Sequence, residues 1–321
     1  MDHTTVAILG TRYVDFSVEE AVFAPRGVRV VGGRGESPDH IVAQAQDAAV
    51  IMAGSRPRFD AGVIARLSCV GIVRYGVGVE SVDLDAAARA GMWVAYVPDY
   101  GTDAVALHAV TLLLAAARRL VEADATVKGG GWGIEWLRPL HGPQALTVGI
   151  VGLGRIGRRV AELLEPFGFE LLGHDPYAGI DGPGGAPRSV SFDDLLARSD
   201  AITLHLPGRP DGRPLLGRAE LGRLKAGAIV INTARGSLID QSALVDGLAR
   251  GTPALAALDV FASEPPGDVF RDVSERVILT PHMAWYTEES ELDLRTKAAR
   301  EALRILDGQP PANAAATPAG A

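Results

Sequence analysis

The chain has 321 residues, of which 47% are hydrophobic and 22% charged, a balance typical of a soluble globular protein large enough for two domains. Its net charge of −8 argues against general affinity for nucleic acid, which depends on neutralising phosphates. The single cysteine, Cys69, excludes an internal disulfide, and its apolar neighbours indicate a buried, unreactive thiol in a reducing compartment.

Two stretches bear on cellular location. Residues 1–5 lack the basic and apolar regions of a signal peptide. The apolar stretch 104–117 contains His108 and stops at two arginines, so it is too short to span a bilayer and is predicted to be a buried helix. We therefore expect a cytoplasmic protein with no membrane and no nucleic-acid partner.

Strands and helices alternate through the first hundred residues, which is typical of a parallel α/β sheet. Apolar runs predict strands at 6–9, 28–31, 49–52, 71–74 and 93–97. Helices are predicted between them at 40–46, 63–67 and 84–90. No GxGxxG turn follows any of these strands, so this half is predicted to serve a purpose other than dinucleotide binding.

A crossing segment, 97–102, leads into the apolar helix predicted from Asp103. Pro98 favours extended chain before the helix, and Thr102 can cap it. Because the helix is apolar on nearly every face, it must be covered on all sides, and a second subunit is one way to cover it. A glycine-rich loop at 128–133 then precedes the next strand.

The sequence GLGRIG at 152–157 follows an apolar strand and opens a helix. Strand, glycine turn and helix together are the context of the dinucleotide-binding fingerprint. Gly152 permits the tight turn, Gly154 lets backbone approach a pyrophosphate, and Gly157 lets the helix lie close to the strand. The N-terminus of the helix then directs free N–H groups at the phosphates.

A second apolar strand, 169–173, leads to His174 and Asp175. Asp175 lies 18 residues after Gly157, where a carboxylate binds the ribose hydroxyls and repels a 2′-phosphate. NAD is therefore predicted in preference to NADP. A bare GxGxxG motif also fits a plain βαβ unit, and the acid at this spacing is what favours the nucleotide site.

The rest of the chain continues the α/β pattern after a Gly/Pro-rich loop at 178–187. Strands are predicted at 201–206, 228–232, 254–260 and 277–279, and helices at 218–225, 241–250 and 288–306. The tail from Asp307 is rich in Ala, Pro and Gly and is predicted to be disordered.

Three polar residues directly follow predicted strands of this half: Arg235, Glu264 and His282. Because ligands bind at the carboxyl ends of parallel strands, all three are predicted to share one edge of the sheet. Taken singly, they are more typical of a surface cation, a solvated loop acid and an ordinary loop histidine than of a catalytic site. Their common edge beside a dinucleotide fingerprint favours a catalytic set.

A cation, a carboxylate and an imidazole suit hydride transfer to a 2-keto acid. Arg235 can bind the substrate carboxylate through paired hydrogen bonds. Protonated His282 can give its proton to the carbonyl oxygen and take it back in the reverse reaction. Glu264 favours the protonated imidazole and fixes its orientation. The hydride chemistry belongs to the cofactor, and no metal site is expected.

From Arg74 to about Leu306 the chain resembles the D-isomer-specific 2-hydroxyacid dehydrogenase family. The motifs that carry this resemblance are VGLGRIG (151–157), HDPY (174–177), LHLP (204–207), NTARG (232–236), LDVF followed by EP (258–265) and TPH (280–282). Within the family the chain is most similar to the C-terminal-binding-protein branch. The motifs shared with that branch are RYGVGVESVD (74–83), VPDYGTD (97–103) and PHMAWYTEE (281–289).

The resemblance implies a role for each matching position, with Arg235 binding the substrate, Glu264 as the partner of the histidine and His282 as the acid/base. Asp259 is implied to contact the nicotinamide carboxamide, and Trp285 to lie over the substrate pocket. The implied NAD contacts are Gly152, Gly154, Arg155, Ile156, Gly157, Asp175, Leu206, Pro207, Thr233, Ala234, Arg235, Asp259 and His282. The implied substrate contacts are Tyr75, Gly76, Val77, Gly78, Arg235 and Trp285.

The resemblance also implies an α/β fold of two Rossmann-like domains, with parallel sheets flanked by helices and a cleft between them. The substrate domain would be discontinuous, 1–98 and 288–321, around an NAD-binding domain at 99–287. A homodimer would form through the 103–119 helix. Departures from the family pattern bear on that helix and on substrate preference; they are Leu107, Glu80-Ser81 and the segment 207–213.

Together these features predict an NAD(H)-dependent 2-hydroxyacid dehydrogenase or 2-keto acid reductase. The alternative is an NAD-sensing scaffold with little turnover, because the branch includes such proteins and they keep the Arg, Glu and His. Only about fifteen residues follow the last predicted helix, which favours an enzyme over a scaffold with a long assembly extension. A phosphite or formate enzyme is less favoured, since the formate enzymes carry Gln where Glu264 stands.

The keto acid itself stays open at this stage. Trp132, Trp136 and Trp285 would suit a bulky or aromatic substrate side chain, but core or dimer packing explains these tryptophans equally well. The direction of the reaction in the cell is also open.

Overall fold

The computed structural model describes residues 4–177, 187–209 and 211–319. The chain divides into two compact units. Unit 1 comprises the residues up to Gly101 and those from Thr287 onward, and unit 2 is Thr102–Tyr286. The Gly/Pro-rich loop predicted at 178–187 lies outside the described residues except for its last position.

Unit 1 begins with five parallel strands separated by four helices: β1 (Thr5–Leu9), α1 (Ser17–Phe23), β2 (Arg29–Gly33), α2 (Pro38–Ala45), β3 (Val50–Ala53), α3 (Ala61–Ile64), β4 (Gly71–Arg74), α4 (Leu84–Arg89) and β5 (Trp93–Ala95). Every residue of β1, β3 and β4 is buried, as expected for apolar strands covered on both faces. The side chains of Ser37, Asp60 and Asp83 cap the next three helices after α1 by accepting first-turn N–H groups.

Unit 2 contains the predicted nucleotide fold, with the elements α5 (Thr102–Ala117), α6 (Leu120–Lys128), β6 (Thr147–Val151), α7 (Arg155–Leu164), β7 (Glu170–His174), β8 (Arg188–Ser189), α8 (Phe192–Arg198), β9 (Ala201–Leu204), α9 (Arg218–Leu221), β10 (Ile229–Asn232), α10 (Gln241–Arg250), β11 (Leu255–Leu258) and β12 (Val277–Leu279). Its strands are parallel in the order β12-β11-β10-β9-β6-β7-β8. The strand order reverses between β6 and β9, and the carboxyl ends at such a switch point are where doubly wound sheets bind ligands.

Helix α5 is covered largely from within unit 2, since it packs against α7, β10 and β11. Its buried side chains, among them Leu112 and Leu113, join a core with Val148 and Ile150 of β6. Leu107 stays exposed at 57%. Within the described residues, no single helix has the length and apolar character to cross a membrane, whereas α5 and α6 taken as a bent pair, 58° apart, meet those two criteria.

The chain returns to unit 1 through α11 (Glu288–Leu306) and β13 (Ala314–Ala316). Thr287 and Ser290 form a capping box at the start of α11. The helix packs against α1, β3 and β4, and β13 completes the sheet order β13-β5-β4-β3-β1-β2.

The prediction of a disordered tail is wrong for the described part of it. The segment 314–316 pairs antiparallel with β5. The buried carboxylate of Glu301 accepts hydrogen bonds from the Ala312 N–H at 2.7 Å and from Asn313 Nδ2 at 2.9 Å. Main-chain pairing and one buried acid therefore order a segment whose small side chains give no strand pattern.

Candidate active site

The glycine turn after β6 is shaped by close backbone contacts. Gly152 has a φ of +90°, and a side chain there would overlap the carbonyl of His205, so glycine is required. A side chain at Gly157, in the first turn of α7, would overlap the carbonyl of Gly152. Both glycines therefore serve the fold directly: Gly152 permits the close approach of the His205 carbonyl, and Gly157 permits the close approach of α7 to the turn after β6.

Gly154 differs from these two glycines, because a side chain there would meet no atom within 4 Å. It is the N-cap of α7 and offers no capping side chain to the N–H groups of the first turn. Open space beside unsatisfied helical donors accommodates an anionic group. Glycine at this position is explained by the approach of a ligand and not by packing, which fits the pyrophosphate of NAD.

Asp175 follows β7 and contacts the same turn. Its Oδ2 accepts a hydrogen bond from the Leu153 N–H at 2.8 Å, and its Oδ1 accepts one from the Tyr177 N–H at 2.8 Å. These backbone donors fix a half-buried negative charge beside the glycine turn. A fixed carboxylate in this place suits the ribose hydroxyls and disfavours a 2′-phosphate.

Two buried polar atoms lie at the carboxyl ends of β9 and β10. The Nδ1 of His205 and the Oγ1 of Thr233 have no hydrogen-bond partner within the part of the chain that the structure describes. The other ring nitrogen of His205 lies 2.8 Å from Thr203 Oγ1, and burial lowers the pKa of His205 to about 3, so the ring is neutral. Because buried polar atoms are nearly always paired, these two fit a site that receives a polar cofactor. The other predicted cofactor contacts at this edge follow the same strands: Leu206, Pro207 and Ala234.

Arg235 directly follows β10, in a turn that Asn232 holds. The Asn232 Oδ1 accepts from the Ala234 N–H at 3.0 Å, and its Nδ2 donates to the Arg235 carbonyl at 2.8 Å. The half-buried guanidinium donates from Nη1 to the Ala234 carbonyl at 2.8 Å. Gly236 approaches the Phe261 backbone so closely that a side chain would overlap it. This contact brings the arginine loop against the loop after β11.

Glu264, in that second loop, forms a hydrogen-bonded pair with His282. Glu264 Oε2 lies 2.7 Å from His282 Nδ1, and Glu264 Oε1 accepts from the Phe261 N–H at 3.2 Å. Since a carboxylate only accepts, Nδ1 carries the hydrogen, and Nε2 is the ring nitrogen left to exchange a proton. The two side chains are 38% and 48% exposed, so a small molecule can reach them.

The electrostatic surroundings keep Glu264 ionised. Burial alone would raise the pKa of its carboxyl, but the hydrogen bond and charge of His282, the Phe261 N–H and the charge of Arg235 together lower that pKa. The carboxylate therefore keeps its charge at neutral pH and loses it only as the pH falls through the lowered pKa. A fixed anion, an imidazole and a guanidinium thus meet at one edge of the sheet.

Asp259, directly after β11, is fully buried. Its Oδ1 accepts from the Thr280 hydroxyl at 2.6 Å and the Met283 N–H at 2.9 Å, and its Oδ2 accepts from the Ala284 N–H at 2.9 Å. The carboxylate therefore anchors the chain on both sides of His282, a role that sequence reasoning missed. In the sequence, the one residue that points to this role is Thr280, whose hydroxyl lies two positions before the histidine. The nicotinamide contact implied for Asp259 stays a prediction.

The remaining predicted substrate contacts divide between the units. In unit 2, Trp285 is half-buried and meets Tyr286 edge-on, with ring centroids 5.6 Å apart. In unit 1, Tyr75 is buried; its N–H donates to the Ala53 carbonyl and its hydroxyl donates to Glu19 at 2.9 Å. The side chain of Tyr75 is thus engaged inside unit 1.

The loop after Tyr75 leaves its backbone donors available. Among the described residues, none accepts a hydrogen bond from the N–H groups of Gly76, Val77 or Gly78, and Gly76 has a φ of +125°. Successive unpaired N–H groups in a turn form a concavity that binds anions. This loop therefore has the chemistry needed for a carboxylate.

Comparison with known proteins places this geometry in a family. Residues 110–284 match the family model described as D-isomer specific 2-hydroxyacid dehydrogenase, NAD binding domain. A D-3-phosphoglycerate dehydrogenase of Archaeoglobus fulgidus is 35% identical over 311 residues, covering 94% of this chain and 58% of the relative. A glyoxylate reductase of Aeropyrum pernix is 36% identical over 290 residues, covering 85% of this chain and 84% of the relative.

The fold of nearly the whole chain is also similar to that of solved structures. A crystal structure of a protein from Thermus thermophilus superposes with a TM-score of 0.86 at 33% identity, covering 97% of this chain and 100% of that one. The chain spans only about half the length of the D-3-phosphoglycerate dehydrogenases that it matches. From the fold, the site and these matches, the chain belongs to the D-isomer-specific 2-hydroxyacid dehydrogenase family, and its unit 2 contains the NAD-binding domain.

Proposed function

We propose that this protein interconverts a 2-keto acid and a D-2-hydroxy acid with NAD(H), with His282 as the acid/base. The observation that carries the proposal is the 2.7 Å pair of Glu264 and His282, which shares a sheet edge with Arg235 beside the glycine turn. Oxidation of NADH by 2-keto acids tests it. An NAD-sensing scaffold with little turnover is the alternative outcome of that test.

Each side chain of the trio has a distinct task in reduction. Arg235 binds the substrate carboxylate through paired hydrogen bonds and so orients the keto group. His282 donates a proton from Nε2 to the carbonyl oxygen, and Glu264 holds the imidazole by Nδ1 and favours its charged form. When bound, NADH supplies the hydride. In oxidation, neutral His282 takes the hydroxyl proton back at the same nitrogen.

The substrate class follows from the family and from the names of the relatives. D-3-phosphoglycerate dehydrogenase and glyoxylate reductase together cover a phosphorylated acid and the smallest 2-keto acid. We infer that unit 1 is the substrate domain and that the N–H groups of Gly76, Val77 and Gly78 bind a carboxylate. Contacts of the substrate with Tyr75 and Trp285 stay predictions, which the KM values of variants at these positions would test.

The cofactor preference is expected to depend on the charge of Asp175. We predict that NADH is preferred to NADPH by at least about tenfold, roughly the effect of one charge-assisted hydrogen bond. Asp175→Ala should narrow the preference without abolishing turnover. Asp175→Asn is the sharper variant, because its amide oxygen can still accept from the Leu153 N–H while the charge is lost. Equal kcat/KM values of the wild type for the two cofactors would contradict this assignment.

The pH dependence of reduction is expected to report the Glu264–His282 pair. Reduction needs a protonated His282, so the rate should fall along an alkaline limb as the pH rises. The lowered pKa of Glu264 keeps its carboxylate charged at neutral and alkaline pH, so that carboxylate does not cause the alkaline limb. Glu264→Gln can still accept from Nδ1 but has no charge to favour the imidazolium, so the limb should move to lower pH.

The matching experiment measures kcat for reduction against pH in the wild type and in Glu264→Gln, with the best keto acid and saturating NADH. Oxidation, which needs the neutral ring, should rise with pH, and its limb should move in the same direction in the variant. An alkaline limb at the same pH in both proteins would show that the carboxylate does not act on His282.

We propose that a homodimer forms through α6 and the loop after it, with α5 contributing Leu107. Helix α6 has no buried residue. Exposed apolar side chains cluster on this segment, including Leu120, Val121, Val127, Trp132 and Ile134. A concentration of this kind marks an interaction surface. The structure covers most of α5 within its own unit, so the 103–119 helix by itself offers a smaller surface than the sequence suggested.

Sedimentation velocity tests the dimer. The wild type is expected to sediment as a dimer at micromolar concentration. The double variant Val121→Glu, Trp132→Glu is expected to sediment as a monomer with an unchanged circular dichroism spectrum. Leu292→Glu, at an exposed apolar position of α11, is the matched control and should stay dimeric. A monomeric wild type would contradict the proposal.

A further inference from the structure

A series of hydrogen-bonded polar groups supports the segment that carries His282. The Asp259 carboxylate accepts three hydrogen bonds, all of them from the segment that carries the histidine. The donors are the hydroxyl of Thr280 and the N–H groups of Met283 and Ala284. One buried side chain therefore binds a side chain before His282 and the backbone after it.

The backbone of His282 needs such support. Its φ is +53°, in the left-handed region that a side chain other than glycine rarely adopts. Its N–H donates to the carbonyls of Asp259 at 2.9 Å and Thr280 at 3.0 Å. A strained conformation persists only where the surroundings fix it, so the aim of the imidazole depends on how Asp259 and Thr280 are held.

His108 of α5 is the last member of this hydrogen-bonded series, after Asp259 and Thr280. Its Nε2 lies 3.1 Å from Thr280 Oγ1 and 3.7 Å from Asp259 Oδ1. Since the Thr280 hydroxyl gives its hydrogen to Asp259, its oxygen is left to accept from His108, which assigns the hydrogen to Nε2. Within the described ranges, His108 is the one basic side chain within 4 Å of the buried carboxylate.

The surroundings of His108 make this contact specific. The imidazole is 17% exposed, in a helix whose other buried side chains are apolar. Packing of α5 alone would be satisfied by an apolar residue at this position. A buried carboxylate, by contrast, needs compensation from donors or a cation. His108 lies 3.7 Å from this carboxylate and is hydrogen-bonded to it through the Thr280 hydroxyl.

We propose that His108 is a positioning residue for the reaction, acting through Thr280 and Asp259 to fix the turn that aims His282. This inference rests on the proposed function, in which His282 is the acid/base. His108 itself lies behind the turn and is assigned no contact with substrate or cofactor.

Steady-state kinetics of variants at His108 and at Thr280 test this positioning role. His108→Phe keeps a flat ring without a donor, and Thr280→Val keeps the shape without the hydroxyl. Each should lower kcat for reduction by about tenfold to a hundredfold, the cost of slight misplacement of a catalytic group, with the Kd for NADH within about threefold of wild type. The double variant should lose no more than the worse single variant, because both act through one path.

His108→Gln should recover most of the loss, since its amide can donate to the Thr280 oxygen. Thr111→Val is the matched control, because the Thr111 hydroxyl is exposed and donates to the Leu107 carbonyl within α5. A purely structural role for His108 would give equal losses in the Gln and Phe variants. Losses that add fully in the double variant, or kcat values within twofold of wild type, would overturn the inference.

Amide hydrogen exchange gives a readout that needs no turnover. The N–H groups of Met283 and Ala284 are the donors to Asp259, so their protection should fall at least about tenfold in His108→Phe and Thr280→Val and stay unchanged in Thr111→Val. If the wild type reduced no keto acid but these two variants still lost protection, the positioning role of His108 would stand and the proposed reaction would fall. Unchanged protection in both variants would overturn the positioning role of His108.

Discussion

His282→Ala should lower kcat for reduction of the best 2-keto acid by a hundredfold or more, since general acid catalysis contributes about 10²–10⁴-fold. The residue is half exposed and its ring is held by Glu264, so its removal leaves the core intact. The loss should therefore appear in kcat, while the Kd for NADH, followed by nicotinamide fluorescence, stays within about threefold of the wild type.

The control for this variant is His141→Ala, at an exposed histidine of unit 2 outside the site, which should keep wild-type kinetics. The proton can also be supplied from outside, so imidazole added to His282→Ala should recover part of the rate. Near-wild-type reduction by His282→Ala would refute the assignment of the acid/base.

Arg235→Gln should lower kcat/KM for the keto acid by about a hundredfold or more, mainly through KM. Two charge-assisted hydrogen bonds to the substrate carboxylate are lost, and hydrogen bonds to charged groups contribute about 1.5–3 kcal/mol each. Arg235→Lys keeps the charge without the planar guanidinium, so its kcat/KM should lie between those of Arg235→Gln and the wild type. Initial rates over a range of keto acid concentrations at saturating NADH measure both parameters.

Arg218→Gln is the matched control for the arginine. Arg218 is exposed, lies at the start of α9 and pairs with Asp246 at 2.6 Å. Its loss should leave KM close to that of the wild type. If Arg235→Gln bound keto acids as well as the wild type does, the substrate carboxylate would have to bind elsewhere.

Much of this site could be anticipated because its signals are local. An apolar strand, three glycines and an amphipathic helix are adjacent in the chain, so the turn at 152–157 needs no long-range information. Glu264 and His282 are 18 positions apart in sequence, yet both follow parallel strands. The rule that carboxyl ends of neighbouring strands share an edge was enough to bring them together.

What the sequence could not give depends on long-range hydrogen bonds. The left-handed backbone of His282 is fixed by Asp259 and Thr280, and a side chain pattern does not encode such a turn. The tail strand β13 depends on a free edge at β5 and on Glu301. The burial of α5 inside its own unit likewise depends on which strands it covers, since an apolar helix alone does not say whether the chain or a partner covers it.

The most direct test of the proposed function is absorbance of NADH at 340 nm with a panel of 2-keto acids, from glyoxylate to phosphorylated acids, in the wild-type protein. We expect turnover with at least one of them, faster with NADH than with NADPH, and a product of D configuration by chiral chromatography. Tight NADH binding with no turnover on any keto acid would contradict the account and favour the NAD-sensing scaffold.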